Sequence, residues 1–333
     1  MTRRTKRILL IPLVAVMVVA CSSASATPTA TPAPTPTPTT APTPTAATTP
    51  TQTPTPVATV SVTPSPTVNP CDMSTLATKT AGKLTIGTDN PAYPPFFEPP
   101  ASGDAPAPWA LGDPTNGQGF ESAVAYAVAA KLGYAKSAVT WTVVPFDNSF
   151  KPGTKPFDLY LAQVSYTADR AKVVDMSDGY YFVNQAVVSL KANAITGAKT
   201  IADLKKFRFG AAQNTTAYDT INNVIAPITA ASVYNTNDDA ISALKAKQID
   251  GLVVDLPTAF YITSGQLANS VIAGQFPAAG GADAEHYSIV LARGSSLTEC
   301  VNGAIASMKA DGSLDQITTE WLSEKASAPV YSQ

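Results

Sequence analysis

The sequence predicts a two-lobed α/β fold, and three observations carry that expectation. From Cys71 onward, short β-like runs alternate with amphipathic helical runs, the pattern of central sheets flanked by helices. A second set of the same alternation occupies about 190–285. The strand-like "HYSIVLARG" (286–294) then returns to the first set, so that lobe 1 comprises 71–189 and 286–333 and lobe 2 comprises 190–285. Two crossings between lobes make a hinge.

Taken in order, "KLTIGT" (83–88) reads as a strand and is followed by a Pro/Gly-rich excursion over 90–118. "GFESAVAYAVAAKLGY" repeats Phe120, Val124, Val128 and Leu132 at helical spacing. "VTWTVVPF" and "FDLYLAQV" are the next strands, and "YYFVNQAVVSLKA" (180–192) runs extended out of the first lobe. In the second lobe "TIADLKKF" is helical, "RFGAAQ" a strand, "TTAYDTINNVIA" and "DDAISALKAKQ" helices, "IDGLVVD" a strand and "PTAFYITSG" a helix. Two helices, 296–310 and 314–324, close the chain.

Ahead of the folded region, the basic "MTRRTKR" precedes an apolar run of thirteen residues, "ILLIPLVAVMVVA". That run is short of the roughly twenty needed to span a bilayer, and reads as a secretion signal over 1–20. It ends in Val18-Val19-Ala20-Cys21, which resembles the bacterial lipobox and makes Cys21 the expected lipid anchor; the alternative is cleavage near Ala26 with Cys21 lost. Residues 22–70 are mostly Thr, Pro, Ala and Ser with no charge, a composition that cannot bury a core. Together with Cys21 they read as a disordered stalk, at most roughly 150 Å long in polyproline II geometry, with a glycosylated stalk as the alternative.

The whole chain has 45 % hydrophobic and 14 % charged residues and a formal charge of −2, which gives it no bulk attraction for nucleic acid. Two cysteines remain in the folded part, Cys71 and Cys300, and in an exported chain they are expected to pair, the alternative being two free buried thiols. Chain entropy assigns so long a loop roughly 5 kcal/mol as an upper estimate. With His286 the only histidine, these cysteines do not make up a metal site, and no cofactor is expected.

Six pieces in order resemble the extracellular solute-binding proteins of polar amino acid ABC importers, family 3, of the type II periplasmic binding fold. They are "LTIGTDNPAYPPF", "GFESAVAYAVAAKLG", "SYTADRAKVVDMSDGYY", "AAQNTTAYD", "GLVVDLPTA" and "MKADGSLDQITTEWL", spanning about 79–325. The resemblance implies a cleft that holds an amino acid by its carboxylate and ammonium groups, with Asp89, Tyr93, Gln163, Ser165, Arg170, Thr216 and Asp255 as ligand-binding residues. Arg170 offers a planar guanidinium for a bidentate grip on a carboxylate, and Thr216 starts a helix whose N–H groups favour an anion. Asp255 ends a strand and is the natural ammonium partner. On local grounds, Arg170 could instead pair with Asp169 or Asp175, Thr216 could be a plain cap, and Asp255 an N-cap for "PTAF". Tyr93 is the aromatic candidate for the ligand, whereas Phe96 and Phe97 suit the core.

Departures from the family pattern are Asn214 in place of glycine, Gln163 in place of a small residue, Ala168 in place of proline, and the 97–118 insertion with Trp109. Asparagine tolerates the left-handed geometry required at 214. The implied partners are a small amino acid and a membrane permease and ATPase, the receptor itself being a membrane-anchored monomer. Two other functions share the fold: a ligand-sensing surface receptor, and a dehydratase-like enzyme. The enzyme requires an acid or base poised in the cleft, and neither the lone His286 nor any close pair of carboxylates in the sequence supplies one.

Overall fold

A computed structural model describes residues 71–278, 284–322 and 328–332; the expected signal (1–20), the anchor Cys21 and the stalk lie outside the described residues. The first lobe opens with β1 (Leu84–Thr88), α1 (Phe120–Lys131), β2 (Val139–Val143), the single turn α2 (Phe146–Ser149), β3 (Leu159–Tyr160), β4 (Asp175–Met176) and β5 (Tyr181–Phe182). The second contains β6 (Gln185–Leu190), α3 (Ile201–Leu204), β7 (Phe209–Ala212), α4 (Thr216–Thr220), β8 (Ser232–Tyr234), α5 (Asn237–Lys245), β9 (Gly251–Asp255), α6 (Leu256–Tyr261) and β10 (Ser270–Gln275). The chain returns through β11 (His286–Tyr287) and β12 (Val290–Leu291) and ends its first-lobe course in α7 (Thr298–Ala310) and α8 (Ser313–Leu322).

Each lobe has a five-stranded sheet, in the orders β2-β1-β3-β12-β4 and β10-β6-β9-β7-β8, and β5 and β11 form a two-stranded ribbon where the chain passes between lobes. β2, β1 and β3 run parallel, as do β8, β7 and β9, which places the carboxyl ends of both parallel sets toward one opening. Period-two alternation then divides each strand between two cores. On β6, Val187 packs under one face with Val253 of β9, while Ala186 and Val188 pack under the other with Leu252 and Val254. On α1, Phe120, Val124 and Val128 are buried at the spacing read from the sequence, against Leu84 and Ile86 of β1. Cys71 and Cys300 are bonded, with Cα atoms 5.4 Å apart, which ties the first described residue to α7.

The strands differ from the sequence reading in four places. β6 lies inside the second sheet, buried on both faces between β10 and β9, so the crossing falls near Asn184 and not at 189. Residues 330–332 also lie against the second lobe, bridging Gln275 and Thr200, and not with the first. β3 is far shorter than "FDLYLAQV" predicts, because the chain turns at Gln163 with φ 52°. β8 and β10 were not marked by the alternation at all. In β10 the pattern is interrupted by Gly274, and a Cβ built there would lie 2.5 Å from the Tyr331 ring.

That close approach predicts that Gly274→Ala destabilises the fold by about 1–3 kcal/mol through overpacking. Urea denaturation of Gly274→Ala, Tyr331→Ala and the double variant should show strong coupling, the second change relieving the first.

Candidate functional site

The two carboxyl edges enclose a cleft of about 400 Å³. All seven residues singled out in the sequence, Asp89, Tyr93, Gln163, Ser165, Arg170, Thr216 and Asp255, line it. Asp89 and Tyr93 follow β1, Gln163 and Ser165 follow β3, Thr216 begins α4, and Asp255 sits at the junction of β9 and α6. The register that pairs Gln185 with Asp255 delivers both side chains to the same edge of the second sheet.

Arg170 is 8 % exposed and stands at the first position of the turn Arg170–Lys172. Its Nη1 donates to the Ser165 carbonyl at 2.5 Å and its Nη2 to the Asn214 carbonyl, across the cleft, at 2.6 Å. The rings of Phe146 and Phe150 lie 5.5 and 4.5 Å from Cζ, covering the guanidinium plane. The local alternatives for this arginine are taken up elsewhere: Asp169 pairs with Lys172 at 2.6 Å, and Asp175 lies 3.6 Å from Arg293. Among the described residues no carboxylate is within ion-pair distance of Arg170. Burial lowers its pKa to about 10, with Asp219, Glu285 and Asp147 favouring the charge, and it is a cation at neutral pH.

Asp255 caps α6, its Oδ1 accepting from the Thr258 N–H at 2.9 Å, and it lines the cleft as well. Burial raises its carboxyl above the usual range, against the pull of Thr258. Thr216 is not the cap of α4. Thr215 is, accepting from Tyr218 N–H at 3.3 Å, which leaves the Thr216 hydroxyl to donate to Glu285 Oε1 at 2.5 Å. Ser165 Oγ donates to the same oxygen at 2.7 Å.

Gln163 is held by Glu121, whose carboxylate accepts from its backbone N–H at 2.7 Å and from its side-chain amide. The long amide thus belongs to the wall. Asn214, at φ 57°, adopts the left-handed turn and its Nδ2 donates to Asp147 at 3.0 Å across the cleft. Tyr93 Oη donates to Asp238 at 2.7 Å, also between lobes, and its ring meets Tyr261 edge-on at 6.4 Å. Burial, then Asp238, raises the phenol pKa. Asp89 is raised by burial despite accepting from Asn90 N–H. Phe96 and Phe97 are core residues, Phe97 with an edge on the cleft. The insertion is fastened to the cleft rim: Asn90, a lining residue, donates to the Pro108 carbonyl at 2.8 Å and accepts from Ala110 N–H at 2.9 Å.

Sequence reasoning missed Glu121, Phe146, Asp147, Gln185 and Glu285. Glu121 carried a signal, a carboxylate adjoining Phe120 on an otherwise apolar helix, and it is fully buried. Asp147 follows a strand just as Asp89 does. Gln185 and Glu285 carry no local signal, since their partners are remote in sequence. Among the described residues, no group of three His, Cys, Asp or Glu is placed to hold a metal ion.

With this geometry in hand, the family described as bacterial extracellular solute-binding proteins, family 3, matches residues 101–324. Similar proteins include the ABC transporter arginine-binding protein 1 of Escherichia coli, 28% identical over 254 residues covering 74% of this chain and 93% of that protein. The arginine-binding extracellular protein ArtP of Bacillus subtilis is 26% identical over 61% of this chain and 77% of its own. An ancestral arginine-binding protein solved with glutamine superposes with a TM-score of 0.56 at 28% identity, over 73% of this chain and 99% of that one.

Glu121 generates a pH prediction. Burial raises its pKa from 4.5 to about 7, with bonds from Tyr180 and Gln163 opposing. The folded state therefore holds the proton more tightly than the unfolded state, so this contribution favours folding below pH 4.5 and is lost as pH rises through 7. Denaturation at pH 5 and pH 8 should show stability falling by on the order of 2–3 kcal/mol from this group, and Glu121→Gln should remove that difference.

Proposed function

The chain belongs to the bacterial extracellular solute-binding proteins of family 3, and from that premise we propose that it is the lipid-anchored binding component of an ABC importer for a free amino acid with a cationic side chain. The observation that carries this reading is the meeting, in one cleft, of a buried guanidinium with no ion-paired carboxylate among the described residues from one lobe and Asp255 with the start of α4 from the other. Arg170 and the free N–H groups of the first turn of α4 receive the ligand carboxylate. Asp255 takes the α-ammonium. The preference for a basic side chain is supported by charge, since the described lining carries Asp89, Asp147 and Asp255 against Arg170 alone. It is also supported by relatives that bind arginine. Tyr93 and Tyr261 supply aromatic surface next to Asp238 for the far end of such a ligand.

Because the binding groups come from both lobes, the ligand favours the closed arrangement over the open one, and closure is driven by that differential affinity. A lipid on Cys21 and an extended 22–70 stalk keep a monomeric receptor near the membrane permease and ATPase that accept its cargo. The reading is tested by a thermal-shift screen of the full chain, freed of carried-over ligand, against the twenty amino acids. L-Arginine or L-lysine at a hundredfold excess over Kd should stabilise by about 2.7 kcal/mol, a rise of several degrees. Arg170→Ala and Asp255→Asn should abolish the shift, and asparagine preserves the helix cap, so loss in that variant reports on binding. A screen in which no amino acid raises the midpoint overturns the proposal.

A further inference from the structure

Asn214 reaches the first lobe with both its backbone and its side chain, although it is not one of the residues that line the cleft. Its backbone carbonyl accepts from Arg170 Nη2 at 2.6 Å, and its side-chain Nδ2 donates to Asp147 Oδ2 at 3.0 Å. Gln213 Nε2 approaches the same oxygen at 3.4 Å. Arg170 and Asp147 both belong to the first lobe, carry opposite charges and form no ion pair with each other. A single second-lobe residue thus gives an acceptor to the cation and a donor to the anion. Its aim is fixed by its neighbours: Gln213 N–H donates to the Tyr234 carbonyl at 2.8 Å, and Thr215 Oγ1 donates to the Ala212 carbonyl at 2.7 Å. On the facing side Asp147 lies within α2, where Ser149 Oγ donates to the Phe146 carbonyl at 2.7 Å.

We propose that Asn214 is a positioning residue that latches the lobes together: through the receptor's own groups, and from outside the cleft lining, it stabilises the closed arrangement and slows ligand release. The left-handed φ of 57° favours Gly, Asn and Asp at this position. Of the three, only asparagine carries a donor; glycine has no side chain, and aspartate sets a second carboxylate against Asp147. A hydrogen bond onto a carboxylate is charge-assisted and stronger than one between neutral groups. Tyr93 also bonds between lobes, to Asp238 at 2.7 Å, but it lines the cleft, so its loss changes ligand contacts and closure together. Asn214 separates the two effects. A bond that forms only when the lobes meet raises the closed population with or without ligand, and a ligand that leaves through the open form must wait for it to break. The effect on release rests on the amino-acid reading above, whereas the effect on closure does not.

Single-molecule energy transfer between dyes on Ser137 and Ala202, exposed residues of the first and second lobes, measures closure in the full chain freed of carried-over ligand. Wild type should show a closed population. Asn214→Gly keeps the left-handed turn and the carbonyl for Arg170, and should lower the closed-to-open ratio about fivefold, the scale of one hydrogen bond. Asn214→Asp should lower it further, and decides the matter if the glycine variant folds poorly. Stopped-flow kinetics with L-arginine should show dissociation about fivefold faster in Asn214→Gly with association little changed. If the ratio stays at its wild-type value in the variants, whatever happens to their melting temperatures, Asn214 serves the turn alone and the latch is overturned. A wild type with no closed population overturns it as well. If the ratio falls as expected but L-arginine binds none of the three proteins, the latch stands and the preference for a basic amino acid falls.

Discussion

Burying a guanidinium with no carboxylate at ion-pair distance among the described residues constrains the whole cleft, because dipoles and ring faces held in fixed positions must compensate the charge alongside the more distant Asp219, Glu285 and Asp147. Arg170 meets that demand with one carbonyl from its own lobe, one from the other, and two phenylalanine rings. Two of its five N–H donors are spent on these carbonyls, which fix the plane of the fork. The same arrangement couples the lobes. Asn214 offers its carbonyl to Arg170 and its amide to Asp147, so the left-handed turn at 214 faces the first lobe with a donor and an acceptor at once.

Around that fixed cation the cleft is acidic, and the acids divide by what surrounds them. Glu121 is sealed in the wall and holds Gln163 in its left-handed conformation. Asp255 caps a helix while facing the cavity. Glu285 collects protons from both lobes at the hinge. The charged lining of the cleft is thus acidic apart from Arg170.

Much of this was legible because it depends on chain-local rules. Asp89, Asp255 and Thr216 are found by locating the end of a strand or the start of a helix, and those boundaries follow from apolar runs and turn residues. Arg170 stands among Asp169, Lys172 and Asp175, and its place in one of six ordered pieces, which also indicated the fold, is what singled it out. What escaped was set by proximity that no local pattern encodes: Glu121 meets Gln163 across 42 residues, and Glu285 meets Ser165 across 120. Thr215 caps α4 because its backbone is extended, φ −104° and ψ 153°, while Thr216 is already the first helical residue, a one-residue distinction that the Thr-Thr pair does not reveal by itself. β10 went unread because its glycine, which accommodates Tyr331 from the far end of the chain, breaks the alternation that marks a strand.

The attachment of the chain end bears on how the lobes can move. α8 packs in the first core, yet Val330 and Ser332 bridge to Gln275 and Thr200 of the second lobe, so the polypeptide passes between lobes three times. A pair of connecting strands can wind about each other and permits both bending and twisting. The chain end adds a further tie to the second lobe, at Gln275 and Thr200. Residues 330–332 thereby belong to the second lobe while α8 belongs to the first, and the end of the chain is shared between the two.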